Sequence, residues 1–249
     1  MTGRSGLVAR AVRIGAALVL AASLAGCAAP APDPTPAASA VTTEQSQLLA
    51  AMRFTNFDAG TRPFTTTVGE GGTTLALHGW VDYATHTGYA AVTGEGFAPQ
   101  ALLWTDTTVA LIPAEPDADG MPPLPIPGAD DPTWLSRAID ASASALDRRL
   151  VLIGSLGSDR PENPLLLQQT GALWLGEDEV DGTAVTVFAA PPSDEVAEPG
   201  SVDADTSPLR LWVTADALLL RAQTRVDGAW QDVDFGTAAG PDLEAPADE

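Results

Sequence analysis

Lysine is absent from this 249-residue chain, cysteine occurs once and histidine twice. Each shortage removes a class of chemistry. Without lysine there is no Walker-type phosphate loop, Schiff base or Ser-Lys dyad. A single cysteine excludes a disulfide within the chain, so the fold must be held by its core. The basic residues are 12 arginines against 33 Asp and Glu, a net charge of −21. Such a balance repels polyphosphates and anionic membrane surfaces alike, which excludes nucleic acid as a partner and leaves no basic patch for membrane attachment.

The two histidines stand close together. His78, Asp82 and His86 would share one face of a helix and could there bind a metal. Gly79, Val81, Tyr83 and Thr85 favour a strand instead, where four residues separate side chains by about 13 Å, too far for one ion. Asp117-Ala118-Asp119-Gly120 opens like a calcium loop, but its twelfth position is Gly128 where a bidentate Glu is required. Gly154-Ser155-Leu156-Gly157 lacks the glycine two residues before the serine that a nucleophile elbow needs. No metal, no cofactor and no enzymatic activity are expected.

What is present begins at the start of the chain. Arg4, Arg10 and Arg13 precede an apolar run from Ile14 to Ala25, closed by Leu24-Ala25-Gly26-Cys27. This pattern reads as a secretory leader, residues 1–26. The apolar run is about a dozen residues, short of the roughly 20 a membrane-spanning helix needs. Leu-Ala-Gly-Cys has the form of a bacterial lipobox, which makes Cys27 the expected lipidation site and places the chain on the extracytoplasmic face of the cell membrane. Loss of the leader removes three arginines and no acidic residue, so the remainder is more acidic than the whole. Attachment must then come from buried acyl methylenes, at about 0.8 kcal/mol each, rather than from charge.

Residues 27–41, rich in proline and alanine, are expected as a lipidated N-terminus and tether. Residues 42–238 are expected as one domain, and 239–249 as an acidic disordered tail. Thr42-Thr43-Glu44 ahead of Leu48, Leu49 and Met52 predicts a short capped helix. Strands are predicted at Phe64 to Val68, Thr73 to Tyr83, Gly88 to Thr93, Ala101 to Trp104 and Thr108 to Ile112. The proline density of Pro113 to Pro127 excludes regular structure there. Asp131-Pro132 reads as the cap and first turn of a helix carrying Trp134, Leu135, Ala138 and Ile139. Leu146 to Leu156 predicts a second helix, and Asn163-Pro164-Leu165-Leu166-Leu167 a short third.

A second strand block follows at Ala172 to Leu175, Thr183 to Ala189, Leu209 to Thr214, Leu218 to Asp227 and Ala229 to Phe235, with Asp-Gly turn signals at 181–182 and 227–228. Alternation puts Val185, Val187, Leu209, Leu211, Val213, Leu218, Leu220, Ala222, Val233 and Phe235 on one face. Thr186, Arg210, Arg221, Gln223, Arg225 and Gln231 fall on the other. The expected fold is α+β: a curved antiparallel sheet, an open half-barrel, with central helices covering its concave apolar face.

Three stretches carry a resemblance: Asp181 to Phe188, Leu211-Trp212-Val213-Thr214-Ala215-Asp216-Ala217-Leu218-Leu219-Leu220-Arg221, and Val233-Asp234-Phe235-Gly236. With the lipobox and tether, they resemble the LppX/LprAFG lipoproteins of actinobacteria, within the LolA-like superfamily of lipoprotein- and lipid-binding folds. The resemblance implies a cavity between sheet and helices that holds the acyl chains of a lipid, a glycolipid or a lipidated partner. The candidate lining is Val185, Val187, Leu211, Val213, Leu218, Leu220, Trp134, Leu150 and Ile153. The implied partners are the lipid ligand, the membrane through acylated Cys27, and envelope transport machinery that receives the cargo. Two departures from the family, the proline-rich Pro113 to Pro127 and the acidic insertion Ser193 to Ser207, are expected near the cavity mouth. The alternatives are an envelope sensor or protein-interaction domain on the same fold without bound lipid, and a solid-cored scaffold.

Overall fold

Twelve strands form one antiparallel sheet in the computed structural model, which describes residues 37–128, 133–191, 203–226 and 228–243. The leader, Cys27, most of the tether, the Asp131-Pro132 cap, part of the acidic insertion and the last six residues lie outside the described residues. Ser39–Ala40 (β1) precedes helix α1, Thr43–Asp58. Then come β2 (Arg62–Glu70), β3 (Thr73–Asp82), β4 (Thr87–Gly94), β5 (Phe97–Trp104), β6 (Thr108–Pro113) and β7 (Leu135–Ala138). Helices α2 (Ala145–Ser155) and α3 (Pro164–Gln169) lead into β8 (Leu173–Val180), β9 (Thr183–Ala189), β10 (Leu209–Val213), β11 (Leu219–Val226) and β12 (Ala229–Phe235).

The first block, β2 to β7, and the second, β8 to β12, each pair in chain order and join where β12 meets β2, with Phe235 opposite Phe64. The sheet ends at β1 and β7 and does not close into a barrel. Twelve strands laid flat would span roughly 50 Å, far more than α1 and α2 could cover. Yet one apolar cluster gathers Leu49 and Met52 of α1 and Leu150 and Ile153 of α2. With them lie Phe64 of β2, Val109 of β6, Phe188 of β9 and Val233 of β12. The sheet therefore wraps around the helices. Register shifts at Val92/Gly94, Trp174/Gly176 and Trp212/Val213 supply local bends of the kind that bulges produce.

The helix starts follow their sequence signals. Thr42 and Gln45 form a reciprocal capping box on α1 at 3.2 and 2.9 Å. Asn163 caps α3, with Pro164 in its first turn. The segment at 135–138 departs from expectation. Predicted as helix, it is strand β7, paired to β6 from Thr108 opposite Ala138 to Leu111 opposite Leu135. Local pattern favoured a helix, but the open edge of β6 offered backbone partners that the strand satisfies. Helix begins only at Ala145, capped by Ser144, whose Oγ accepts from the Asp147 N–H at 3.1 Å.

Ordered structure also extends past both expected boundaries. Ser39 and Ala40, assigned to the tether, pair with β8, and Val41 is buried. In the expected tail, Gly240 N–H donates to Thr61 O at 2.8 Å and Leu243 is buried.

The outer face is not uniformly polar. Tyr89, Ala101, Leu103, Ile112 and Leu243 form a cluster joined by Trp80, Ile126 and Trp134. The proline-rich segment covers this cluster instead of standing at a cavity mouth. Tyr89 Oη donates to Pro123 O at 2.9 Å, and burial pushes the phenol up to about 12.

Candidate functional site: hollows around helix α2

Leu146, Leu150 and Ile153 bury one side of α2 in the concave core. The other side stands clear of the sheet. Three hollows flank it, and Ser155 borders all of them.

The first, about 420 Å³, lies between α1, α3 and β10. Leu49, Met52, Leu166, Leu167, Leu209 and Leu211 give it an apolar wall, and its charged pair, Arg53 and Glu162, closes on itself at 2.9 Å. The second, about 630 Å³, lies between α2 and the strands β2, β11 and β12. Val68, Val151, Leu152 and Val226 belong to its apolar part, and Arg148, Arg149, Thr224, Arg225 and Gln231 to its polar part. The third, about 270 Å³, is bounded by Tyr83, Trp104, Ile139 and Leu150. The first two fall in the size range of small-molecule sites.

Two polar clusters hold α2 in place. At its start, buried Asp147 receives both Arg137 terminal nitrogens, at 2.5 and 2.7 Å, and the Asp140 N–H at 2.7 Å. Burial alone would raise the Asp147 carboxyl; the Arg137 and Asp140 bonds outweigh it and hold it below the ordinary value. Glu70, at the end of β2, accepts from the Leu146 N–H at 2.8 Å. At the other end, Asn56 of α1 donates to Leu156 O at 2.7 Å.

The buried arginines differ. Arg62 is satisfied by Asn56 Oδ1, Leu219 O and Gly236 O at 2.8 to 3.0 Å. Arg149 donates from Nη2 to Gln231 Oε1 at 2.7 Å, while its buried Nη1 has no partner among the described residues. Burial lowers the Arg149 guanidinium from its ordinary value, with Asp232 partly offsetting this. Tyr83 Oη is likewise buried without a partner among the described residues, and burial raises it strongly against the pull of Arg62 and Arg53.

The expected lining residues divide. Leu211 lines the first hollow and Leu150 the third, while Val213 and Ile153 are in the concave core. Val185, Val187, Leu218 and Leu220 lie on the opposite face, packed with Val180 and Trp212. Two causes account for this. In β9 the inward residue is Phe188, opposite Leu211, so the inward phase is one residue out from the valines. In β11 the bulge opposite Trp212/Val213 leaves Leu219 inward and turns Leu220 outward beside Arg221. Gln231, expected outside, lines the second hollow. Trp134 belongs to the outer cluster and donates from Nε1 to Gly128 O at 3.1 Å.

Sequence reasoning missed Arg149 and the α3 leucines as lining. A trace was available: Arg149 falls in the Leu146, Leu150, Ile153 stripe at helical spacing, where a charge is out of place. Among the described residues, no group of three or more His, Cys, Asp or Glu could hold a metal, and no helix is long and apolar enough to cross a membrane.

No family profile matches the sequence, and no curated protein does. Among solved structures, the chain is similar to LprF from Mycobacterium bovis at 16% identity and TM-score 0.44, covering 84% of this chain and 100% of that one. It is also similar to the Mycobacterium tuberculosis lipoprotein LppX at 14% identity and TM-score 0.42, covering 79% and 97% respectively.

Proposed function

We propose that this chain is a lipid-anchored envelope protein that binds an acylated, largely apolar ligand in the hollows around α2 and passes it to envelope transport machinery. The observation that carries the reading is the first hollow, about 420 Å³ with a leucine-rich wall, sharing Ser155 with a second of about 630 Å³. Leu166 in that wall is 46% exposed, so the cleft offers accessible apolar area to an acyl chain. Anchoring through acylated Cys27 rests on the Leu24-Ala25-Gly26-Cys27 pattern behind its basic and apolar leader.

The test is native mass spectrometry of the full chain purified from a bacterial host. Bound lipid should appear and be released by denaturation. Repeatedly empty protein that also takes up no apolar dye would overturn the reading. Anchoring is checked separately by fractionation. Cys27→Ala should shift the chain out of the membrane fraction, and full retention would refute acylation as the anchor.

One observation favours a second reading, a protein-interaction domain. The edge strand β7 is exposed along its length, and Leu135 there is 72% exposed. A stoichiometric protein partner, lost on Leu135→Arg and indifferent to delipidation, would support it.

A further inference from the structure

We infer that the larger hollow is a head-group site for the anionic end of an amphiphile, a carboxylate or a phosphate, with Arg149 as its charged donor. This rests on the ligand-binding reading above and adds the ligand's charge.

The lining is the first argument. In a chain with 33 acidic residues against 12 arginines, the described residues that line this hollow include three arginines and no Asp or Glu. Arg225 is set aside, because its guanidinium sits over the Trp230 ring at 5.7 Å and donates to Asp205 O. Arg148 also has a backbone acceptor, Ala141 O at 3.1 Å, which leaves Arg149.

The second argument is the state of Arg149. It is 3% exposed, yet among the described residues its only partner is the neutral amide oxygen of Gln231, and Nη1 has none. The carboxylate acting on it, Asp232, is held by Gln223 at 2.8 Å and stands 3.8 Å from Arg221. Buried Arg62, by contrast, has three oxygen acceptors, Asn56 Oδ1, Leu219 O and Gly236 O. A buried charge left short of partners is costly, and an entering anion offsets that cost with charge-assisted bonds.

The third is size. About 630 Å³ is far more than a free anion occupies, and Val68, Val151, Leu152 and Val226 line the rest. Ser155 borders both this hollow and the leucine-walled first one. An acyl chain entering past Ser155 would bring its polar end to Arg149.

The full chain, held in phosphatidylcholine nanodiscs and loaded with a fluorescent acyl probe, is titrated with dodecyl phosphate, dodecanol and inorganic phosphate, corrected for partition into empty discs. Dodecyl phosphate should displace the probe about tenfold better than dodecanol, the ratio expected for one hydrogen bond to a charged group. Arg149→Gln should bring the ratio near one, and Arg149→Lys should keep part of it. Equal displacement by phosphate and alcohol in the unmodified chain would overturn the head-group assignment while leaving ligand binding intact. Failure of the probe to bind at all would overturn ligand binding itself. Inorganic phosphate competing as well as dodecyl phosphate would make this a free-anion site and overturn the amphiphile. If circular dichroism shows Arg149→Gln unfolded, the phosphate-to-alcohol ratio of the unmodified chain decides alone.

Discussion

Arg62 Nη1 donates to Asn56 Oδ1 at 2.8 Å, with both side chains buried, and through this pair α1, α2 and three strands are tied together. Asn56 also donates to Leu156 O and accepts from the Leu219 N–H, while Arg62 reaches Leu219 O and Gly236 O. Asn56→Ala would strand a buried guanidinium donor and two backbone groups. We expect a loss of about 2–4 kcal/mol in denaturant unfolding. A loss below about 1 kcal/mol, the scale of one ordinary hydrogen bond, would show that the pair is not a hub.

Core and cavity walls should respond differently to truncation. Ile153 is fully buried in the core and Leu166 is 46% exposed against the first hollow. Ile153→Ala should cost about 2–5 kcal/mol. Leu166→Ala should cost under about 1 kcal/mol, as a partly exposed site does, yet weaken uptake of an apolar dye. Equal stability losses with unchanged uptake would favour a solid core.

Asp147 gives the fold a sensitivity to acid. Its folded-state carboxyl is held down, so its contribution is complete above the unfolded value, about 3.9, and fades as pH falls through the lower folded value. Asp147→Asn should cost about 1–3 kcal/mol at neutral pH. The gap to the unmodified chain should narrow in acid, and urea midpoints measured across pH 2 to 7 would reveal a constant gap if Asp147 has no such role.

Gly88 has no room for a side chain, because a Cβ there would overlap the Trp104 ring. Trp104 in turn packs edge-on to Phe64, with centroids 5.8 Å apart. Gly88→Ala should displace the indole, shift tryptophan emission and cost about 1–3 kcal/mol. An unchanged emission spectrum would show that the ring accommodates the methyl.

Much of the strand layout was legible because turns and strands are written locally. Asp181-Gly182 joins β8 to β9 with positive φ at both residues, the geometry such a dipeptide favours. Thr42 and Asn163 announced their helices for a similar reason, since a cap is satisfied within three residues. The candidate site was legible only in part. Leu211 followed from alternation, but Leu220 did not, because a phase that resets at a bulge turns side chains to the other face, and Val187 did not, because alternation within β9 leaves open which face turns inward until Phe188 is set opposite Leu211.

The residue inventory alone determined which chemistries are missing: no lysine, no disulfide, no excess of positive charge. The Leu24-Ala25-Gly26-Cys27 pattern and the positions of most strands are likewise properties of neighbouring residues. Tertiary structure decided what distant partners control. The open edge of β6 drew 135–138 into a strand. The pairing of β12 with β2 joined the two blocks into one sheet. The same closure brought Arg149 and Gln231, 82 residues apart, to 2.7 Å around a hollow. Contacts of that separation depend on the whole sheet wrapping around α2, and no short window of sequence encodes it.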